Sequence, residues 1–377
     1  MKISFKTNKK MKNFNPLIFL KSLGAGGLAI SFFMYLMFMT KHKAPIPTFD
    51  TLKVYFVEHN TLYIALILFA IILLFFAIKH IYVLIKEVKN YIKFKKTEEF
   101  HKIKDTNKEV TLMSIPLTLA MTMNVLFSLS AIFIPNLWNH IEYIFPFALL
   151  FLVIIYALYI YEYFSRIMTK GNFEIEEGNN LSQMIAAFAF SMVVFAPAAM
   201  SQTAITSTIA TILSIFFLTI TFILVLIKLL VGFKEMFRKV DIESSSLWIM
   251  IPILTLFISL VRNQHGIAHI SHQEVGTIDN FLILTIIISA QLIFGRLYKV
   301  MRMNKYFRNY INEKNSVASY SLICPVALTV LFFFVHKLIE NHIISKFGIA
   351  YFVILLPIIY TQFITIRTLF KLNRKIK

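Results

Sequence analysis

Charge is scarce in this chain of 377 residues. Asp, Glu, Lys and Arg together make up 15% of it, where a soluble domain carries about a quarter. Acid is scarcer than base, with 19 Asp and Glu against 38 Lys and Arg, and no acid falls near the middle of any long apolar run. Proton- and cation-coupled carriers commonly keep a membrane-embedded acid, and cation channels use acidic rings, so both classes are disfavoured. Cysteine occurs once, at Cys324, which excludes an internal disulfide framework. Nucleotide-binding loops, HExxH, haem-attachment motifs and credible serine or cysteine triads are all lacking. With no room for a separate catalytic domain, neither enzyme chemistry nor a cofactor or metal is expected.

Apolar length is what the chain has instead. Hydrophobic residues make up 58% of it and the mean hydropathy is +0.72. A bilayer-spanning helix needs about 20 largely apolar residues. The stretch from Leu181 to Ile227 holds no charge at all, too long for one span and right for two with a tight turn near Ser201–Thr206. The pattern predicts an all-α integral membrane protein with ten spans, at 16–40, 61–85, 111–134, 142–165, 181–202, 204–230, 247–264, 279–301, 317–339 and 346–370. Residues 1–15 form a basic leading segment, 16–370 the membrane domain, and 371–377 a basic tail. The lysines ahead of span one resemble the start of a secretory signal, but no small-residue cleavage site follows, so the span is expected to be retained.

Basic residues cluster before span one and after every even span: Lys86–Lys108, Arg166 and Lys170, Lys234–Lys239, Lys299–Lys314 and Arg367–Lys377. The opposite loops hold few, among them Lys41, Arg262, Lys337 and Lys346. By the positive-inside rule both termini are cytoplasmic, in a cell inner (plasma) membrane. The net charge of +19 is then a topology signal, with anionic headgroups as a secondary attraction, and calls for no nucleic acid. The mixed Lys and Glu of Lys86–Glu109 suit a surface-lying extension of the second helix.

The spans alternate in character. Even ones are almost pure Leu, Ile, Phe and Val. Odd ones read GAGGLAIS from Gly24, SIPLTLAMTMN from Ser114, FAPAAMSQT from Phe195, MIPILTLFIS from Met250 and SLICPVALT from Ser321. Small and hydroxylated residues collect where membrane helices pack or meet water. Five helical hairpins are therefore expected, the odd helices forming an inner ring around a pore and the even ones an outer jacket. Pro116, Pro197, Pro252 and Pro325 recur in odd spans, and Gly24, Gly26 and Gly27 take the corresponding place in span one. A proline frees a backbone carbonyl one turn earlier, and in lipid such a break persists only where other groups satisfy it. With Thr118, Thr255 and Cys324, these residues are the expected pore lining.

Ten helices as five hairpins, with kinked odd helices inside, resemble the tellurite-resistance and dicarboxylate transporter superfamily, which includes the plant slow anion channels. The bacterial TsoY-type (seleno)protein branch is the more similar. The resemblance covers nearly the whole chain and rests on architecture and proline positions. It implies a homotrimer of separate pores conducting small inorganic or organic anions, each gated by an aromatic side chain. That gate stands near the kink proline of the ninth helix, where this chain has Cys324, with Phe332, Phe333 and Phe334 further along. Phe332 and Cys324 are the gate positions this implies, and the departure at Cys324 puts a phenylalanine gate in question.

Three further groups bear on chemistry. Cys324 is a thiol beside a helix break, so the alternative to a channel is a membrane thiol-redox protein acting on a sulfur or selenium compound through an external thiol. A coupled anion exchanger is a third reading. His265, His269 and His272 follow span seven at helical spacing, but without a cysteine and with few carboxylates they read as outer-loop histidines rather than a metal site. Glu162 pairs with Arg166 at helical spacing near the cytoplasmic side. Lys21, Lys79, Lys228 and Arg296 read as snorkelling anchors near the same face.

Overall fold

The computed structural model describes residues 14–42, 44–58, 61–104, 106–156, 169, 184–200, 207–238, 247–303 and 325–375. Among them there is helix and no strand. Eight helical stretches are long and apolar enough to cross a bilayer, and the chain is an all-helical, membrane-embedded protein.

The first span opens on a 3-10 turn, Pro16–Phe19, whose leading Leu17 N–H is capped by the Asn15 side chain at 3.0 Å. It continues as α1 (Leu20–Met39), unbroken through Gly24, Gly26 and Gly27. A short outer helix follows, α2 (Phe49–Val57), begun by a reciprocal Thr48–Thr51 capping box with Asp50 in its first turn. The second span is α3 (Tyr63–Phe94); its 32 residues reach about 48 Å at 1.5 Å each, well past a hydrocarbon core of about 30 Å. The expected surface extension does not carry on as one rod. It breaks at Lys95, and α4 (Glu98–Ile103) starts again under a Thr97 cap. The fold-back has a cause: Phe94 and Phe100 are buried with Phe14 and Phe19, Phe94 and Phe100 meeting edge to face at 5.8 Å.

Span three again begins as a 3-10 segment, Asn107–Met113, before α5 (Ser114–Phe133). A 3-10 turn at Leu137–His140 leads into α6 (Ile141–Tyr156). Next come α7 (Met184–Met200), α8 (Ser207–Arg238), α9 (Met250–Leu256), α10 (Ser259–Ser271) and α11 (Thr277–Met303). A 3-10 turn at Pro325–Leu328 precedes α12 (Val330–Glu340), and α13 (Ile349–Lys375) ends the described chain. Parts of the predicted fourth, fifth and ninth spans, the Ser201–Thr206 turn and the Glu162–Arg166 pair lie outside the described residues.

Burial divides the spans as their composition does. In the stretches of spans one, three and seven, 89%, 61% and 72% of the apolar window is buried; in even-numbered stretches the share runs from 22% to 39%. Met184–Val194 of span five is buried along its whole length. The inward helices touch in sequence: α1 packs on α5, α5 on α7, and α7 on both α9 and α10. In turn α9 packs on the Pro325–Leu328 turn, and that turn on α1. The lipid-facing surface is Leu, Ile and Phe, with Phe147 and Leu230 each 75% exposed, as a bilayer solvent demands.

Three even spans each lend one buried polar side chain to the inner helices. On α3, His80 Nδ1 meets the Ser22 carbonyl at 2.7 Å and Nε2 meets Thr122 Oγ1 at 2.9 Å, while Ser22 Oγ donates to the His80 carbonyl at 2.8 Å. On α11, the Gln291 amide nitrogen reaches the carbonyls of Ile251 and Ala327, at 2.9 and 2.8 Å, and Thr255 Oγ1 at 2.7 Å. On α13, Gln362 donates to Ser31 Oγ at 2.9 Å and accepts from Tyr35 Oη at 3.1 Å. With no water in the hydrocarbon, such groups must find protein partners, and here they do so across helix boundaries, except for Gln291 Oε1, which has none among the described residues.

Candidate functional site

Where the inward helices meet, they line a small cavity of about 20 Å³, the axial cavity of the expected ring. Each contributes: Ile30 and Met34 from α1, Met121 and Asn124 from α5, Met192 from α7, Thr255 from α9, and Thr329 and Phe333 from the ninth span. A volume of this size holds about one water. Its walls are mainly apolar, three methionines with Ile30, Leu256, Ile258, Val326 and Phe333, and the polar groups are two hydroxyls and one carboxamide; Asn124 points its amide at the Met192 sulfur 3.5 Å away. A second cavity of about 260 Å³ lies beside it between α1, α5 and α6, sharing Ile30, Met34 and Asn124 with the first. Arg262 lines this larger space, and neither cavity has an acidic residue in its wall.

Span seven, which carries Arg262, is longer than expected and broken in the middle. The helix does not end at 264 but continues to Ser271, so His265 and His269 are helical and only His272 stands past the end, closing it in the left-handed conformation. Phe257 and Ile258 form the break, with Phe257 N–H bonded to the Leu254 carbonyl and Ile258 N–H to that of Thr255, both at 3.1 Å. The buried residues of α10 are Ser259, Val261, Arg262, Asn263 and Gly266. Four of them, at i, i+3, i+4 and i+7, form one polar helical stripe, while Val261 packs with Ile258 and Leu284 beside it. The Arg262 guanidinium stands 5.7 Å from the Phe333 ring centroid, within cation–π range. Asn263 is 3% exposed, and among the described residues neither of its side-chain polar atoms nor the buried Ser259 hydroxyl has a hydrogen-bond partner.

The expected lining residues fall into two groups. Thr255 lines the axial cavity and donates to the Ala327 carbonyl. The Pro325–Leu328 turn contributes Val326 to the same cavity. Thr118 instead hydrogen-bonds the carbonyls of Phe19 (3.2 Å) and Ser114 (2.7 Å), joining α5 to α1. Gly26 is a contact point of three helices. A Cβ there would stand 2.7 Å from Met121 Cγ and 2.9 Å from His80 Nδ1, so the glycine serves close packing. Gly24 and Gly27 are buried in the same unbroken helix.

The prolines are not equivalent breaks. Pro116 and Pro252 sit in the first turns of α5 and α9, directly after 3-10 segments, where a missing N–H costs little. Pro197 alone of the odd-span prolines lies inside a helix. Cys324 lies outside the described residues, and with it any gate or thiol role assigned to it. Phe332 is 1% exposed and is not in the wall of the axial cavity, being stacked at 5.7 Å on Phe38 and edge-on to Tyr35 at 4.9 Å. Its neighbour Phe333 is the ring at the axial cavity.

Three residues at the site were not singled out by sequence: Asn124, Asn263 and Phe333's partner role with Arg262. A carboxamide in the middle of an apolar odd span was a readable signal for Asn124. Ser259, Arg262 and Asn263 of the polar stripe lie inside the span expected at 247–264, and only Gly266 lies beyond it. Among the described residues no three His, Cys, Asp or Glu side chains stand together as a metal site. Compared with protein-family models, curated proteins and solved structures, the chain matches none.

Proposed function

We propose that the chain is a multi-pass channel or facilitator for small anions, set in a cell inner membrane with both termini cytoplasmic. In this reading ten spans form five hairpins, the odd ones closing an inner ring and the even ones a jacket. The observation that carries it is the axial cavity, walled by residues of all five odd spans and adjoined by a second cavity whose lining includes the buried Arg262. The order of helix contacts, running from α1 through α5, α7 and α9 to the Pro325–Leu328 turn and back to α1, supports a closed ring. An intramembrane cation in a cavity marks a pathway for the opposite charge. Hydroxyls, a carboxamide and polarizable sulfur give a weak field suited to a partly dehydrated anion, and an axial space for one water is a closed, dewetted constriction. Phe333 rather than Phe332 is the aromatic in position to gate it.

Flux into proteoliposomes tests this, comparing chloride, nitrate, sulfite, thiosulfate and malate without an imposed proton or sodium gradient. Measurable flux is expected for at least one anion, raised several-fold by Phe333→Ala and lowered about tenfold by Arg262→Gln, equivalent to about 1.4 kcal/mol at the barrier. Absence of flux for every anion, or variants indistinguishable from the parent, would reject the reading.

A further inference from the structure

The segment after α1 and the turn between α5 and α6 each stand between two spaces. On one side is the cavity of about 260 Å³, whose wall includes Met37, Ile46 and Leu137. On the other is a vestibule of about 780 Å³, with Lys41, His42, Pro45, Trp138 and Asn139 in its wall. Lys41 and Asn139 are exposed, so this vestibule meets solvent. Each segment changes side within one peptide link, from Pro45 to Ile46 and from Trp138 to Leu137. Consecutive Cα atoms are about 3.8 Å apart, so a single layer of residues divides the two spaces. Ile46 is 4% exposed and Leu137 half-buried. Two such apolar side chains part without breaking a hydrogen bond, and an apolar constriction closes by dewetting. The first segment is tied at both ends instead. His42 holds one ring nitrogen 3.0 Å from the Met37 carbonyl and the other 2.6 Å from that of Ala44. It thereby links the wall of the inner cavity to the wall of the vestibule. At the far end Thr48 is fixed to Thr51 of α2. Asp50 also lines the vestibule, but it lies in the first turn of α2 and accepts from the Asn136 N–H at 3.4 Å. Its charge is therefore answered within the protein, and Lys41 is the cation offered at the opening.

We propose that this vestibule is the external mouth of the solute pathway, with Ile46 and Leu137 as the door between it and the inner cavity. Resting on the channel reading, it puts solute entry beside α1, off the axis of the ring. From the inner cavity the remaining way is short, since Ile30, Met34 and Asn124 line it and the axial cavity alike. Two closed points then stand in series, the door at Ile46 and the constriction at Phe333. A small anion drawn by Lys41 is the class of solute such a mouth admits, and a door of two side chains keeps bulky ones out.

The test is thiol accessibility in the full chain, using Ser128→Cys in a Cys324→Ala background. Ser128 is 5% exposed, in the wall of the inner cavity. The probe is an anionic, membrane-impermeant methanethiosulfonate added outside right-side-out proteoliposomes. Modification is expected, slowed at least tenfold by Ile46→Trp and quickened at least threefold by His42→Ala. Leu137→Trp is expected to act as Ile46→Trp does, and it decides the matter if that variant does not yield monodisperse protein. Asn139→Cys, in the vestibule wall, is expected to react at one rate whether or not the door is altered. No reaction at Asn139→Cys, no reaction at Ser128→Cys, or a Ser128→Cys rate that neither tryptophan changes would each overturn the proposal. Chloride and nitrate flux on the same samples separates it from the reading it rests on. Flux that survives both tryptophans removes this mouth and leaves the channel, whereas door-dependent labelling in protein that passes no anion rejects the channel and keeps the door.

Discussion

At the scale of single residues, membrane depth changes what a side chain is for. Gly26 reads in the sequence as span one's counterpart to the odd-span prolines, and in the structure it is the contact point of α1, α3 and α5. Gly26→Ala places a methyl where Met121 and His80 already stand, and the expected cost is about 1–3 kcal/mol, read as a lower thermal midpoint in detergent. His80→Ala removes the ring that bridges Ser22 and Thr122. Helix-bridging hydrogen bonds in membranes are worth about 0.6 kcal/mol on average and up to about 1.7, so this loss is expected in the same range plus the void left behind. Graded unfolding in sodium dodecyl sulfate reads both. Composition pointed to Gly26 but not to its task, because the task is set by two side chains 54 and 95 residues further on. The same holds for Phe332 and Phe333. Three consecutive phenylalanines carry no sign of which one faces the axis, and helical rotation of about 100° per residue decides it.

Among the elements, the spans were legible and their interruptions were not. Hydropathy places a helix at each stretch the structure describes as apolar, and the odd and even spans differ in burial as their Gly, Pro, Ser and Thr content predicts. Proline was the wrong guide to the breaks. A missing N–H is harmless in a first turn, so Pro116 and Pro252 sit where the helix begins, whereas span seven is interrupted at Phe257 and Ile258, where no proline stands. What holds that interruption together is Gln291, which satisfies carbonyls on spans seven and nine at once. Gln291→Glu keeps the shape and removes the donating amide, leaving Ile251 and Ala327 with carbonyls facing an acceptor. The expected loss is about 1–3 kcal/mol, larger than for Gln291→Met, and both are measured as shifts of the thermal midpoint. A smaller effect of the Glu variant than of the Met variant would mean the carbonyls find other donors.

For the whole molecule, the charge asymmetry makes the most direct prediction. A fluorescent reporter fused after Lys377 or before Met1 is expected to mature in the cytoplasm, and a cysteine placed at Asn136 in a Cys324→Ala background to label from the outside; the reverse pattern would invert the orientation. The polar stripe on α10 also bears on how the protein is made. A translocon passes each span to lipid by its own partition free energy, and an arginine near a helix centre opposes that transfer by about 2.5–3.5 kcal/mol. The stretch Leu247–Ser271 carries Arg262 and Asn263 on a mean hydropathy of 1.5, lower than any other spanning stretch, against 1.9 for Ile278–Leu297 behind it. During synthesis the seventh span is therefore expected to enter against spans made before it. The helices on which α10 mainly packs, α8 and α7, lie ahead of it in the chain and supply the shelter that lipid denies, so this span joins as a late piece of an assembling bundle and not as a free helix.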